Sequence, residues 1–289
     1  MDERKLNTLV GFGVELPTGT SIETAWGTLR SRRPEDVERI RSHGAEYDPG
    51  RGCILEPPAR DGWRVMPDGQ RALFLRGIED PNWKRVALGL LLAQDPLDAR
   101  PSLPWFCVEY LEGGGGGAQF RQYRTGGEAS SDQLPEVKRW LDLVNSQRLS
   151  DVAVDRATQM VHRTTDHVAS LIDGVIVWES LFGPGSNQEL SFRVSACMAS
   201  VLSDDPAERV ALQKEIKKLY ELRSGIVHGG PALKSGDDHG HRRRVQELTL
   251  SAMRALLARR PWLVGAKAQD FMAFVLGVRP RETDESVEQ

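Results

Sequence analysis

Apolar residues recur with a helical period through the C-terminal half of the chain. The positions that share one face and repeat about every seven or three to four residues are Val161, Val168, Leu171, Val175, Trp178 and Phe182. Such a stripe is typical of a helix that lies against a helical core. The pattern predicts one long helix from about Asp151 to Phe182, ended by the glycine and proline of residues 183–186.

Further amphipathic segments surround this helix. Helices are predicted over residues 134–144, 190–201, 245–257 and 268–276. Another begins after Asp205, where Asp205-Pro206-Ala207-Glu208 has the features of a capping box with proline in the first helical position. It is expected to end at Gly229-Gly230-Pro231.

The N-terminal half has a mixed pattern. Segments 8–14, 71–76 and 105–111 are rich in branched and aromatic residues, which favour strands. Between the last two a helix is predicted, with Asp80 as its cap, Pro81 in its first position and an apolar body over residues 83–93. Five glycines, Gly113–Gly117, indicate a hairpin tip. The chain is therefore expected to be an α+β protein, with a mixed α/β domain over residues 1–128 and an all-α bundle over residues 132–280.

Charge and composition limit the function classes. The 289 residues carry 38 basic and 41 acidic side chains, a net charge of −3, so nucleic acid would be bound only through a local basic patch. The three cysteines, Cys53, Cys107 and Cys197, form no CxxC pair and favour free thiols in a reducing compartment. With no apolar segment near the N-terminus and none long enough to cross a bilayer, a cytoplasmic protein without membrane contact is expected.

The chemistry-bearing residues lie at the end of the helix that begins after Asp205. Arg223 and His228 are five residues apart in Arg223-Ser224-Gly225-Ile226-Val227-His228. Arginine presents a planar fork of donors to phosphate oxygens, and histidine exchanges protons near neutral pH. Positions five apart on a straight helix point about 140° away from each other. The two side chains therefore need either an unwound helix near Gly225 or a second chain to meet at one site.

This segment resembles the HEPN superfamily (higher eukaryotes and prokaryotes nucleotide-binding), and within it the Apea-like group. The resemblance rests on the Arg-x4-His spacing, on Glu179-Ser180-Leu181-Phe182 at the end of one helix, and on Glu189-Leu190-Ser191-Phe192-Arg193 at the start of the next. It covers about residues 150–260. Arg-x4-His alone is a common pattern, so its position after this pair of helices carries most of the specificity.

The resemblance implies a metal-independent endoribonuclease that needs no cofactor and acts on RNA as a homodimer through its HEPN domain. Arg223 and His228 would be catalytic, Ser224 and Glu179 would support them, and the cleft would form where two motifs meet. Apea-like proteins resemble components of bacterial defence and abortive infection. By that analogy the N-terminal domain would bind a regulatory ligand or partner protein and would restrain the nuclease.

Several residues have an ordinary structural explanation beside the functional one. Arg223 would pair with Glu221 or another acid of the bundle, and His228 would cap its helix. Glu179 would bond Arg223 or Arg193, or be a plain helix-end acid. Arg242, Arg243 and Arg244 would follow RNA phosphates or form a solvated face. His239 and His241 would lie in a charged loop, and no metal site is expected there.

A second function is compatible with the same residues. The bundle would then be a catalytically inactive HEPN module that binds a nucleotide or a protein, as an antitoxin or regulatory partner does. RNA cleavage without metal, and its loss on replacing Arg223 or His228, would distinguish the enzyme from this module.

Overall fold

The computed structural model describes residues 6–12, 15–36, 38, 53–56, 81–95, 105–110, 116–119, 130–163, 165–183, 189–228 and 238–278. The chain belongs to the α+β class and divides into two compact units. The first comprises Met1–Ser146 and Val161–Thr164, and the second comprises Gln147–Met160 and Thr165–Gln289.

Six described strands form one antiparallel sheet in the first unit. They are β1 (Leu6–Phe12), β2 (Ser21–Thr24), β3 (Gly27–Ser31), β4 (Cys53–Glu56), β5 (Trp105–Tyr110) and β6 (Gly116–Gln119), in the order β2-β3-β4-β1-β5-β6. Val10 of β1 lies opposite Leu55 of β4 and Phe106 of β5. The strands predicted near residues 8–14 and 105–111 are therefore confirmed, whereas the segment 71–76 lies outside the described residues.

The first unit also contains two longer helices. Helix α1 spans Pro81–Leu92 and α2 spans Leu134–Ser146, with α2 following a 3-10 turn at Ser131–Gln133. Gly89 allows close contact between them, because a Cβ atom there would lie 2.8 Å from Cδ2 of Leu141. The sequence pattern grouped α2 with the helical domain of residues 132–280, but its apolar face packs on α1 and places it in the first unit.

The second unit contains six described α-helices. They are α3 (Asp151–His162), most of which falls in this unit, α4 (His167–Phe182), α5 (Leu190–Leu202), α6 (Pro206–Val227), α7 (Asp238–Arg259) and α8 (Ala268–Val275). α5 contacts α4, α6, α7 and α8, so it lies at the centre of the unit. Its residues Val194, Cys197, Met198 and Val201 are completely buried.

The single long helix predicted from Asp151 to Phe182 is wrong. The chain leaves the helix after His162 and begins a new one at His167. Asp166 caps the new helix, because its carboxylate accepts a hydrogen bond from the backbone N–H of Ala169. The apolar seven-residue spacing continues across the break, so periodicity alone did not reveal it.

The interior of the second unit is closely packed around α4. The indole N–H of Trp178 donates to Oγ1 of Thr249 at 2.7 Å, and the rings of Phe182 and Phe271 meet edge to face with centroids 5.7 Å apart. Gly174 faces α7: a Cβ atom there would collide with Val245 and would lie 2.9 Å from the sulfur of Met160. α4 therefore has little freedom to move, which fixes the position of Glu179 in its last turn.

The capping box predicted at the start of α6 is confirmed in part. The carboxylate of Asp205 accepts from the backbone N–H groups of Ala207 and Glu208, and Pro206 is the first helical residue. α7 begins earlier than predicted, at Asp238, so His239 and His241 lie in a helix and not in a loop. Among the described residues, no helix is both long and apolar enough to cross a membrane.

Candidate functional site

The Arg223–His228 segment is the last part of α6 and is regularly helical. α6 continues through Val227, and His228 is its C-cap residue with φ −93° and ψ 16°. The backbone N–H of His228 donates to the carbonyl oxygen of Ser224 at 3.1 Å. Gly225 lies inside this helix, so the helix does not unwind there. Within one chain the side chains of Arg223 and His228 consequently point in directions about 140° apart.

The guanidinium of Arg223 is incompletely paired. Its Nη2 atom lies 3.7 Å from Oε2 of Glu179, which is an ion pair but too long for a hydrogen bond. Its Nε atom is buried and has no hydrogen-bond partner among the residues that the structure describes. The side chain is 20% exposed, so solvent reaches only part of it. Of the two partners expected for Arg223, the bundle acid is the one observed, as Glu179, whereas Glu221 pairs with Lys217.

Glu179 is held by a second residue of α6. The hydroxyl of Tyr220 donates to Oε1 of Glu179 at 2.6 Å. Burial raises the pKa of Tyr220 above its usual range, and the hydrogen bond to Glu179 and the charge of Glu179 raise that pKa further. Tyr220 is therefore protonated at neutral pH and donates to a carboxylate whose other oxygen faces Arg223.

His228 and Ser224 are differently placed. The side chain of His228 is exposed and forms no hydrogen bond or ion pair with any residue that the structure describes. Ser224 is half-buried and contributes its carbonyl oxygen to the end of the helix. His228 thus occupies the cap position expected from the structural explanation, and its side chain is exposed.

The three consecutive arginines of α7 do not act alike. Arg244 is fully engaged: its Nε and Nη2 atoms donate to the two oxygens of Glu215 at 2.8 Å, and its Nη1 atom pairs with Glu247 at 2.9 Å. Arg242 is half-buried, desolvation lowers its pKa, and its Nε has no partner in the described part of the chain. Arg243 is exposed. The predicted RNA contact therefore remains open for Arg242 and Arg243, whereas Arg244 joins α7 to α6.

The first turn of α7 brings His239 against a histidine of α4. The rings of His167 and His239 meet edge to face with centroids 5.5 Å apart. Across the described segments, no group of three or more His, Cys, Asp or Glu side chains is arranged to hold a metal ion.

Sequence reasoning missed Tyr220. It lies three residues before Arg223, on the same face of α6, and 41 residues from the carboxylate that it contacts. No local motif marks such a pair, and only the packing of α6 against α4 reveals it. The available signal was the spacing of Tyr220 and Arg223, which places both beside any acid that faces this part of the helix.

Comparison with known proteins identified no relative. The chain matches no protein-family model, no curated protein and no solved structure.

Proposed function

We propose that the second unit is a HEPN-type endoribonuclease that works as a homodimer without a metal ion. Arg223 binds the scissile phosphate, and His228 moves the proton. The observation that carries this proposal is the incomplete pairing of Arg223: within the described part of the chain its buried Nε has no partner, and its one ion pair spans 3.7 Å. A half-buried guanidinium with unused donors favours a phosphate group as its partner.

The regularity of α6 supports the dimer. Arg223 and His228 diverge by about 140° around a straight helix, so one chain cannot direct both at one phosphate. A two-fold arrangement brings Arg223 of one protomer to His228 of the other. Val227 next to His228 is 50% exposed, and burial of this side chain against a second copy would add to the dimer contact.

The chemistry follows from these two groups. The 2′-hydroxyl of RNA attacks the adjacent phosphorus, its proton passes to a base, and the bond to O5′ breaks as a proton is returned to O5′. The products are a 2′,3′-cyclic phosphate and a 5′-hydroxyl, so atoms and charge balance without a metal or a redox partner. His228 serves in the proton transfers. Arg223 stabilises the additional negative charge of the phosphorane.

The remaining residues have smaller roles. Glu179 restrains the guanidinium of Arg223, and Ser224 stabilises the end of α6 that carries His228. Arg242 and Arg243 contact phosphates of the flanking RNA strand. As in Apea-like proteins, the enzyme belongs to a cytoplasmic defence system, and the first unit receives the regulatory ligand or partner.

The test is RNA cleavage in EDTA. Wild-type protein, Arg223→Ala and His228→Ala are incubated with mixed RNA, and the product ends are identified by mass spectrometry. Arg139→Ala is the matched control, since Arg139 is an exposed arginine of α2 in the other unit that pairs with Glu136. Cyclic-phosphate products from the wild type and the control, and loss of cleavage in both motif variants, support the proposal. Equal cleavage by all four proteins refutes it.

One observation favours the inactive module instead. No described residue orients the imidazole of His228, whereas a catalytic histidine commonly donates its second N–H to an orienting acceptor. An inactive module would bind RNA or nucleotide through Arg223 but leave RNA intact. Binding that depends on Arg223 and not on His228, without cleavage, would select this function.

A further inference from the structure

We propose that Tyr220 is a positioning residue that keeps the guanidinium of Arg223 available to phosphate by holding Glu179 away from it. The geometry is a chain of three side chains: Tyr220 donates to one oxygen of Glu179 at 2.6 Å, and the other oxygen remains 3.7 Å from Nη2 of Arg223. Its consequence for RNA rests on the function proposed above, but its structural part does not.

The two distances differ in what they mean. At 2.6 Å the Tyr220–Glu179 contact is a short hydrogen bond to a charged acceptor, a strong class of hydrogen bond in proteins. At 3.7 Å the Glu179–Arg223 contact is an electrostatic attraction without a hydrogen bond. The side chains of Glu179 and Arg223 are 25% and 20% exposed. Partial burial strengthens whichever polar interaction the Glu179 carboxylate forms. The tyrosine hydroxyl therefore competes with Arg223 for the carboxylate.

Arg244 of the second unit shows the closer pairing that an arginine and a carboxylate can form. Arg244 closes on Glu215 with two hydrogen bonds of 2.8 Å, and its guanidinium is then saturated. If Glu179 were released from Tyr220, the carboxylate would be free to close on Arg223 in the same manner. A guanidinium paired in that way must break a charge-assisted hydrogen bond before it binds a phosphate.

Tyr220→Phe tests this inference, because it removes the hydroxyl and keeps the aromatic ring. Binding of a fluorescent single-stranded RNA is expected to weaken about tenfold, within the range that one hydrogen bond to a charged group supports. Adding Glu179→Gln to Tyr220→Phe should restore the affinity, because the amide cannot form an ion pair with Arg223. If Tyr220 only supports packing, the double variant will bind RNA no better than Tyr220→Phe alone, and that result overturns the inference.

A second readout does not require RNA. In side-chain ¹⁵N NMR, the Nη signals of Arg223, assigned with Arg223→Lys, should be averaged by rotation in the wild type and separated in Tyr220→Phe as the ion pair tightens. Unchanged Nη signals would overturn the inference even if RNA is cleaved. Separated signals in a protein that neither binds nor cleaves RNA would uphold the positioning and refute the proposed function.

The matched control is Ser170→Ala. Ser170 is a buried residue of α4 whose hydroxyl donates to the carbonyl of Met160 at 2.6 Å, nine residues before Glu179. Its loss should lower the melting temperature without changing RNA affinity or the Arg223 signals. A change in RNA affinity as large as that of Tyr220→Phe would mean that any lost hydroxyl of α4 or α6 weakens binding, and the inference would fail.

Discussion

Arg223→Ala should weaken RNA binding with little loss of stability, whereas Arg244→Ala should lower stability with little loss of RNA binding. The two arginines lie on consecutive helices, and Arg244 pairs with Glu215 and Glu247. Among the described residues, Arg223 has one long ion pair and its Nε has no partner. Arg244→Ala removes a fork that joins α7 to α6. Arg223→Ala removes a guanidinium whose one ion pair among the described residues is the 3.7 Å contact with Glu179.

The expected magnitudes follow from these contacts. Arg244 and Glu215 are 34% and 39% exposed, so solvent screening reduces the value of their pair, and Arg244→Ala should destabilise by about 1 kcal/mol. That corresponds to a fall in melting temperature of about 2–4 °C. Arg223→Ala should cost less than about 0.5 kcal/mol in stability. Loss of its hydrogen bonds to phosphate should weaken RNA binding by about 1.5–3 kcal/mol.

Both quantities are measured on the same preparations. Thermal unfolding followed by circular dichroism gives stability, and fluorescence polarisation with a labelled single-stranded RNA at fixed salt gives affinity. The reasoning is refuted if Arg244→Ala weakens RNA binding more than Arg223→Ala does, or if Arg223→Ala is the more destabilised protein.

Three further predictions concern the fold and its titratable groups. Glu179→Gln should lower the pKa of Tyr220, because burial raises that pKa and the Glu179 carboxylate raises it further; ¹³C-tyrosine NMR at high pH would show the earlier transition. Gly174→Ala should destabilise by about 1–3 kcal/mol through collision with α7, whereas Gly225→Ala, with open space around it in α6, should stabilise by about 0.5–1 kcal/mol, both measured by urea unfolding. Burial raises the pKa of Cys197 to about 12, so iodoacetamide at neutral pH should leave this thiol unlabelled in the folded protein and modify it only in urea, as read by mass spectrometry.

The sequence predicted the helices well because their signals are local. A few neighbouring residues specify each of these features: the cap at Asp205, the apolar face of α5 and the end of α6 at Val227. The break between α3 and α4 was missed because the apolar spacing runs through it, although Asp166 supplies a cap residue at the right place. At this position the start of α4 follows the cap residue and not the apolar spacing.

Only part of the candidate site could be predicted from the sequence. Arg223 and His228 were identified from their residue types and spacing, and Glu179 from its place near a helix end. The pairing of Tyr220 with Glu179 joins residues 41 apart, and that of Arg244 with Glu215 joins residues 29 apart. Such contacts depend on how α4, α6 and α7 pack together. For this reason the sequence left two alternatives for Arg244, an RNA surface or a solvated face, whereas the structure places it in ion pairs with Glu215 and Glu247.

Mixing two inactive variants tests the central proposal most directly. If each site takes Arg223 from one protomer and His228 from the other, an Arg223→Ala chain and an His228→Ala chain together contain one intact site. Exchange of the two purified proteins at equal concentration should then restore about a quarter of the wild-type RNA cleavage, since half of the dimers are mixed and each has one of its two sites. A mixture in which subunits demonstrably exchange but RNA stays intact, although the wild type cleaves it, would contradict the shared site.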